Sequence, residues 1–343
     1  MHIGIVVDTR SYGGIESHIL GLAKSLVQNQ VQVTVIRLNN YGEHPLFKQL
    51  DNLNIPYINH IGSISTFLAC ITKNQFNVLH THGYKANLYG RLARLFSHIS
   101  LVSTYHSGDR GKGKLFVYDA IDRLSAWLSH ANIAVSLPIQ RSLLGQATLL
   151  HNAIDTNTAL QQPGRVIAFV GRLSEEKAPE RFVDMAIRLP QYQFVMYGDG
   201  PLFAALNKKR PSNLTLAGHI DNMATIWPSV NLLIIPSKQE GLPMVSLEAM
   251  LRGIPVVSTN VGSMNVVIKD RKNGFLIDHY TPTRCVECIK AWFELTPVQQ
   301  HAMRTSARQT ILDKFNMETY TQRIINIYKN LMNASPTHLL EEQ

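Results

Sequence analysis

The sequence predicts two doubly wound α/β units in tandem. Short β-branched runs alternate with amphipathic helical stretches, the rhythm of a parallel sheet covered by helices on both faces. That rhythm breaks once, in the polar stretch 156–164, which ends in Pro-Gly, and then restarts. The chain has 343 residues, 45% of them apolar. Single cores stop growing at about 250–300 residues, so two are expected.

In the first half, residues 3–7, 31–37, 78–80, 101–104 and 133–135 read as strands. Between the first two lies a helical pattern, 15–28, with Ile19, Leu22, Ala23 and Leu26 on one face. In the second half the strands are 166–170, 193–197, 214–216, 232–235 and 256–258. Each half opens with a strand whose loop enters a helix, at 6–16 and at 169–180. The tail, 315–331, reads as an amphipathic helix with Tyr320, Ile324, Ile327 and Tyr328 on one side. The expected domains are 1–160, 161–314 and a terminal helix, 315–333.

Only 17% of residues are charged, against roughly 25% in average soluble proteins. Yet the net charge is +9. Such a surplus suits an anionic partner. It is shared, with 13 Lys and Arg against 8 Asp and Glu over residues 1–160, and 20 against 16 over the rest. No helix-turn-helix, RNP or zinc pattern supports nucleic-acid binding. Three cysteines are too few and odd in number for a disulfide framework. Cys285 and Cys288 form a CxxC, but inside a helix-like run, 282–293, with no second pair or His cluster, so a plain helix is favoured over a metal or redox site. The N-terminus has only 3–7 as a continuous apolar run, too short for a secretory segment. No stretch approaches the roughly 20 apolar residues that span a bilayer. A cytoplasmic protein is expected, with any membrane contact peripheral, on the inner face of the cell membrane.

Five constellations carry chemistry. In the run 234–250, a buried strand leads through a loop into a helix, with Glu240 in the loop and Glu248 one turn past Pro243. The turn Gly241-Leu242-Pro243 leaves backbone N–H groups at a helix start, which suit anions and hydroxyl-rich ligands. Two carboxylates bracketing that turn can grip a polyol; equally, Glu240 can be a solvated loop charge. In 169–179, Arg172 and Lys177 follow a strand end at Gly171. A planar fork and a point charge together suit a diphosphate, although surface cations are an alternative. In 195–202 a strand runs into Gly198-Asp199-Gly200-Pro201, either a ligand approach or a plain turn. Gly13 and Gly14 open the first helix, without the GxGxxG fingerprint. No P-loop is present. Finally, His106 follows a strand, as do His80 and His82.

Together these elements resemble the retaining glycosyltransferases of family 4, which have the GT-B fold: two Rossmann-like domains facing a cleft, with the C-terminal helix crossing back to the first. The resemblance covers essentially the whole chain. The E-x7-E signature is Glu240 and Glu248; the Gly-Arg-x5-Lys motif is Gly171, Arg172 and Lys177; GDGP is 198–201; GG-x-E is Gly13, Gly14 and Glu16. The run closing the first domain, usually Asn-Gly-Ile-Asp, is Asn152-Ala153-Ile154-Asp155.

The resemblance implies that Arg172 and Lys177 hold the donor diphosphate and Glu248 the ribose hydroxyls. Glu240 would contact the transferred sugar, beside the backbone of Gly241, Leu242 and Pro243. Gly198 belongs to the donor site; Gly14 would let a helix N-terminus approach the diphosphate; His106 would lie near sugar and acceptor. The implied reaction moves a hexosyl unit from a nucleotide-sugar, UDP-sugar favoured over GDP-mannose, to a hydroxyl of a glycan or lipid-linked acceptor. Cell-envelope polysaccharide or lipopolysaccharide synthesis is the expected setting. No DxD stands near the motifs, so no metal and no cofactor is expected. A nucleotide-sugar epimerase or hydrolase on the same fold, or a non-catalytic sugar-nucleotide-binding protein, are the alternatives. Lys85, Arg91 and Arg94 beside Leu88, Tyr89, Leu92, Leu95 and Phe96, then a basic loop 109–114 leading to Leu115, Phe116 and Val117, suit an anionic membrane surface. The competing reading makes these apolar residues core.

Overall fold

The computed structural model describes residues 1–343 except 11, 60–61, 107–112, 221 and 335–343. Most of the basic loop 109–114 therefore lies outside the described residues. The chain forms two compact units. One comprises Met1–Ala153 with the described residues from Met317 onward, the other Ile154–Asn316.

The strands of the first unit are β1 (His2–Val7), β2 (Gln32–Arg37), β3 (Tyr57–Asn59), β4 (Val78–His82), β5 (Ser100–Tyr105), β6 (Ala131–Ala134) and β7 (Thr148–Leu149). They pair in parallel in the order β3-β2-β1-β4-β5-β6-β7. Ile3, Ile5, Val6 and Val7 are all buried, so both faces of β1 are covered, as an unbroken apolar run in a parallel sheet requires. Its helices are α1 (Gly14–Gln28), α2 (Pro45–Asn52), α3 (Ile64–Asn74), α4 (Tyr84–Phe96), α5 (Lys114–Leu124) and α6 (Leu137–Ser142). The expected face of α1 holds: Ile19, Leu22, Ala23 and Leu26 are fully buried, each large side chain contributing about 2 kcal/mol.

The second unit has β8 (Val166–Val170), β9 (Phe194–Tyr197), β10 (Leu214–Gly218), β11 (Val230–Ile235), β12 (Val256–Thr259) and β13 (Phe275–Ile277). They are again parallel, in the order β10-β9-β8-β11-β12-β13. Its helices are α7 (Pro179–Arg188), α8 (Phe203–Lys209), α9 (Met244–Leu251), α10 (Met264–Val267), α11 (Pro282–Glu294) and α12 (Pro297–Lys314). Cys285 and Cys288 sit in the core on α11, and burial pushes the Cys285 thiol up to about 12. The polar stretch 156–164 lies within this unit, tied by Gln161 N–H to the Arg252 carbonyl at 3.1 Å.

The tail helix, α13 (Met317–Ala334), packs in the first unit, with Tyr320, Ile324 and Tyr328 buried against its core. It starts two positions later than the periodicity suggests. Phe315 instead closes α12 and is buried in the second unit's core. The short strands β3, β7 and β13 escape the sequence reading because three or fewer residues show no usable period.

In each sheet the strand order reverses once, between β1 and β4 and between β8 and β11. Loops leaving the carboxyl ends of strands at such a reversal diverge, and that crevice is where open α/β sheets bind ligands.

Candidate functional site

In the second unit the reversal point is flanked by the motifs singled out in sequence. Residues 171–178 leave β8, and 236–243 leave β11. Lys177 Nζ lies 2.7 Å from both carboxylate oxygens of Glu240, which also accepts from Ser237 Oγ at 2.7 Å. The Glu240 side chain is only 7% exposed. Glu240 is therefore an anchored, ion-paired group rather than a solvated loop charge. The two loops are stitched by backbone as well. Lys238 N–H donates to the Glu176 carbonyl at 2.8 Å, and the Arg181 guanidinium to the Pro236 carbonyl at 2.9 Å.

Pro243 stands at the N-cap of α9 and its side chain makes no capping hydrogen bond to the helix start. Gly241, Leu242 and Pro243 are buried, while Glu248 is half-buried one turn along. A third loop braces this turn. Ser263 N–H donates to the Gly241 carbonyl at 2.8 Å, and Thr259 Oγ1 to the Ser237 carbonyl at 2.6 Å. Gly262, at φ +60°, passes so close that a Cβ there would lie 2.1 Å from the Gly241 oxygen. Ser237, Thr259 and Gly262 were not legible as site residues, since nothing local marks them.

Arg172 is exposed on the same loop as Lys177. Gly198 packs against the loop that follows β8. At φ +133°, its Cβ position lies 1.9 Å from the Gly171 carbonyl oxygen. Gly198 N–H donates to Gly218, and Gly171 N–H to Tyr197, at 2.7 and 3.0 Å. GDGP thus lets the end of β9 press on the loop that carries Arg172 and Lys177, and sets its position.

In the first unit, Gly13 and Gly14 stand exposed at the start of α1. Glu16 turns back to accept from Gly13 N–H at 2.9 Å, and burial raises its carboxyl above the usual range. His106 shares a 2.9 Å hydrogen bond with His82, and the side chain of Asn152 also bonds it. His18 packs edge-on to His106, with ring centres 5.3 Å apart. His80 holds Tyr328 at 2.6 Å and Thr104 at 2.7 Å, and His18 holds Tyr320 at 3.2 Å. Burial and the neighbouring imidazoles hold His82 and His106 well below the usual histidine range, so both are neutral at physiological pH. His82 and His18 thus join His106, where sequence position favoured His106 alone. Among the described residues, no group of three or more His, Cys, Asp or Glu is placed to hold a metal ion.

Two family models match the chain, one in each unit for most of its length. Residues 12–158 match the Glycosyltransferase Family 4 domain, and residues 164–294 the domain described as Glycosyl transferases group 1. The chain belongs to the family 4 glycosyltransferases. It is 24% identical over 322 residues to the UDP-Gal:alpha-D-GlcNAc-diphosphoundecaprenol alpha-1,3-galactosyltransferase of Escherichia coli, covering 81% of this chain and 82% of that one. It is also 24% identical over 359 residues to the D-inositol 3-phosphate glycosyltransferase of Mycolicibacterium gilvum, covering 84% and 79%. Among solved structures, the Anabaena HepE protein in complex with UDP-glucose aligns with a TM-score of 0.82 at 17% identity, over 96% of this chain and 100% of that one. That likeness shows the GT-B fold. As a glycosyltransferase, the chain places its Gly-Arg-x5-Lys motif on the loop after β8 and its E-x7-E motif on the loop and helix α9 after β11, at one sheet reversal.

Proposed function

We propose that this glycosyltransferase moves a hexosyl unit from a UDP-sugar to a hydroxyl of a glycan or lipid-linked acceptor, with retention and without a metal. The observation that carries the reading is the pairing of Lys177 with Glu240 beside exposed Arg172 and the uncapped start of α9. Cleaving a glycosyl–phosphate bond builds negative charge on the departing diphosphate. Fixed cations and helix-start amides stabilise that charge without reorganising at the moment of reaction. Arg172 and Lys177 take this part. When Lys177 turns to phosphate, Glu240 is left to hold hydroxyls of the sugar, and Glu248 those of the ribose. Retention follows from attack on the face that the phosphate leaves, with a phosphate oxygen taking the acceptor proton. In the first unit, Gly14 offers backbone amides, and neutral His106 donates or accepts a hydrogen bond without adding charge.

UDP is favoured because HepE is solved with UDP-glucose and the Escherichia coli relative is named for UDP-Gal. That relative's name also includes a diphosphoundecaprenol acceptor, which supports a lipid-linked acceptor and envelope glycan synthesis at the inner face of the membrane. No helix among the described residues is long and apolar enough to cross a membrane. The test is a thermal-shift screen of UDP, GDP and ADP and their sugars, followed by product analysis with labelled donor, with and without membrane-lipid extract. Stabilisation by UDP compounds and acceptor-dependent transfer are expected. Acceptor-independent hydrolysis or epimerisation would replace the reading.

A further inference from the structure

We propose that the crevice at the carboxyl ends of β1, β2 and β4 binds a phosphate carried by the acceptor, with Arg10 and Lys85 as its charge partners and a sugar ring against Tyr84. The inference deepens the acceptor half of the reading above and rests on it for its part in transfer. The contacts that carry it lie wholly in the first unit.

Strand register builds the site. Val7 of β1 pairs with Arg37 of β2 on one side and with His82 of β4 on the other, so the three strands end level. Residues 8–10, 38–42 and 83–85 therefore emerge side by side at the reversal of the sheet. Asp8 gathers them. It accepts from Asn39 Nδ2 at 2.6 Å, from Tyr41 Oη at 3.1 Å and from Lys85 Nζ at 3.0 Å. Arg10 lies over the Tyr41 ring, 4.7 Å from its centre, and in the field of Tyr84. Gly83 leads into α4 at φ +87°, and a Cβ there would meet nothing within 4 Å, so that side of the crevice is open.

Charge and shape select the ligand. Arg10, Arg37 and Lys85 all act on Asp8, so one carboxylate serves three cations. Arg37 is 3% exposed, and its Nε and Nη2 have no hydrogen-bond partner in the protein. A buried guanidinium left half-satisfied is costly unless negative charge lies near. A phosphate monoester carries about 1.5–2 negative charges at pH 7, so it competes with a carboxylate for Lys85 and suits the planar fork of Arg10. Tyr84 is 37% exposed and stacks with Tyr118, their ring planes 6° apart. A fixed ring with an apolar face and a hydroxyl edge suits the C–H face and hydroxyl rim of a sugar.

Calorimetry on the full chain tests the site, with saturating UDP present to fill the loops of Arg172 and Lys177. Glucose 1-phosphate and inorganic phosphate should bind, and glucose at the same concentration should not. Lys85→Ala should weaken both anions by about tenfold or more, and Lys85→Arg should restore most of the loss. Tyr84→Ala should weaken glucose 1-phosphate by about threefold or more and leave inorganic phosphate unchanged. Cooperative unfolding and UDP affinity should be the same in these variants as in the parent chain. Failure of UDP to bind the parent would count against the donor reading alone, and the Lys85 comparison would still decide this one. No binding of glucose 1-phosphate, or binding equal in parent and Lys85→Ala, would overturn the site. So would loss of that binding in Lys177→Ala, which would put the phosphate in the other unit. Glucuronate binding as tightly as glucose 1-phosphate would replace the phosphate by a carboxylate.

Discussion

Lys177 Nζ is 2.7 Å from both carboxylate oxygens of Glu240, although the two residues stand 63 positions apart. The pair joins the family's two most specific motifs at one point of the sheet. It also holds each group in place before any donor arrives. Lys177→Ala removes a fixed cation and leaves the Glu240 carboxylate with Ser237 alone. Turnover should fall by about 10²–10³-fold, the usual cost of losing one preorganised donor to transition-state charge. Donor affinity should fall by no more than turnover. Steady-state kinetics with UDP-sugar check this; unchanged turnover together with unchanged affinity would remove Lys177 from the phosphate site.

Glu248 lies half-buried on α9, one turn beyond the uncapped start. If it binds ribose, Glu248→Ala should weaken UDP binding by about 10- to 100-fold, since hydrogen bonds to a charged group contribute about 1.5–3 kcal/mol. A deoxyribose donor should lose affinity for the parent chain and not for the variant. Calorimetry on the four combinations measures the coupling; additive losses would place the ribose elsewhere.

Gly198→Ala should be far costlier than a glycine change in open space. Its Cβ would sit 1.9 Å from the Gly171 oxygen, at φ +133°. Gly42 also has a positive φ, +95°, but nothing lies within 4 Å. We expect about 1 kcal/mol for Gly42→Ala from backbone strain alone, and about 3 kcal/mol or more for Gly198→Ala. Urea unfolding gives both numbers. Similar values would mean that the β8 and β9 loops part easily.

The buried histidines make the first unit acid-sensitive. Burial lowers His18 to about 4 and His80 to about 3, and holds His82 and His106 well down too. A histidine depressed in the folded state is protonated more readily when unfolded. Stability is therefore complete above the unfolded value near 6.5 and declines as pH falls toward the folded values. Each imidazole contributes about 1.4 kcal/mol of loss per pH unit in that window. The melting temperature should drop steeply between pH 7 and 5 and less steeply in His80→Phe. A flat profile over that range would show that the cluster is hydrated or already charged.

Much of the site was legible because its signals are local. A strand, a loop with Glu240 and a helix start at Pro243 follow from apolar run, turn residues and proline in sequence, and the structure starts α9 at Met244. Arg172 and Lys177 were found for the same reason, as cations just past a strand end. The GDGP turn was visible as a motif, but its pressure on Gly171 was not, because it depends on β9 pairing with β8.

The sequence by itself determined the alternation of strands and helices, the two-unit division and the order of the motifs. Each follows from periods and turn chemistry within about 20 residues. The tertiary structure decided what meets what. Strand order puts the loops of β8 and β11 side by side and brings Lys177 to Glu240. It also gathers His18, His80, His82 and His106 from separate segments against Tyr320 and Tyr328. The same limit explains α5. Periodicity says which residues share a face, but not which face turns inward. There, buried Arg91 draws Asp122 inward and leaves the apolar side in solvent.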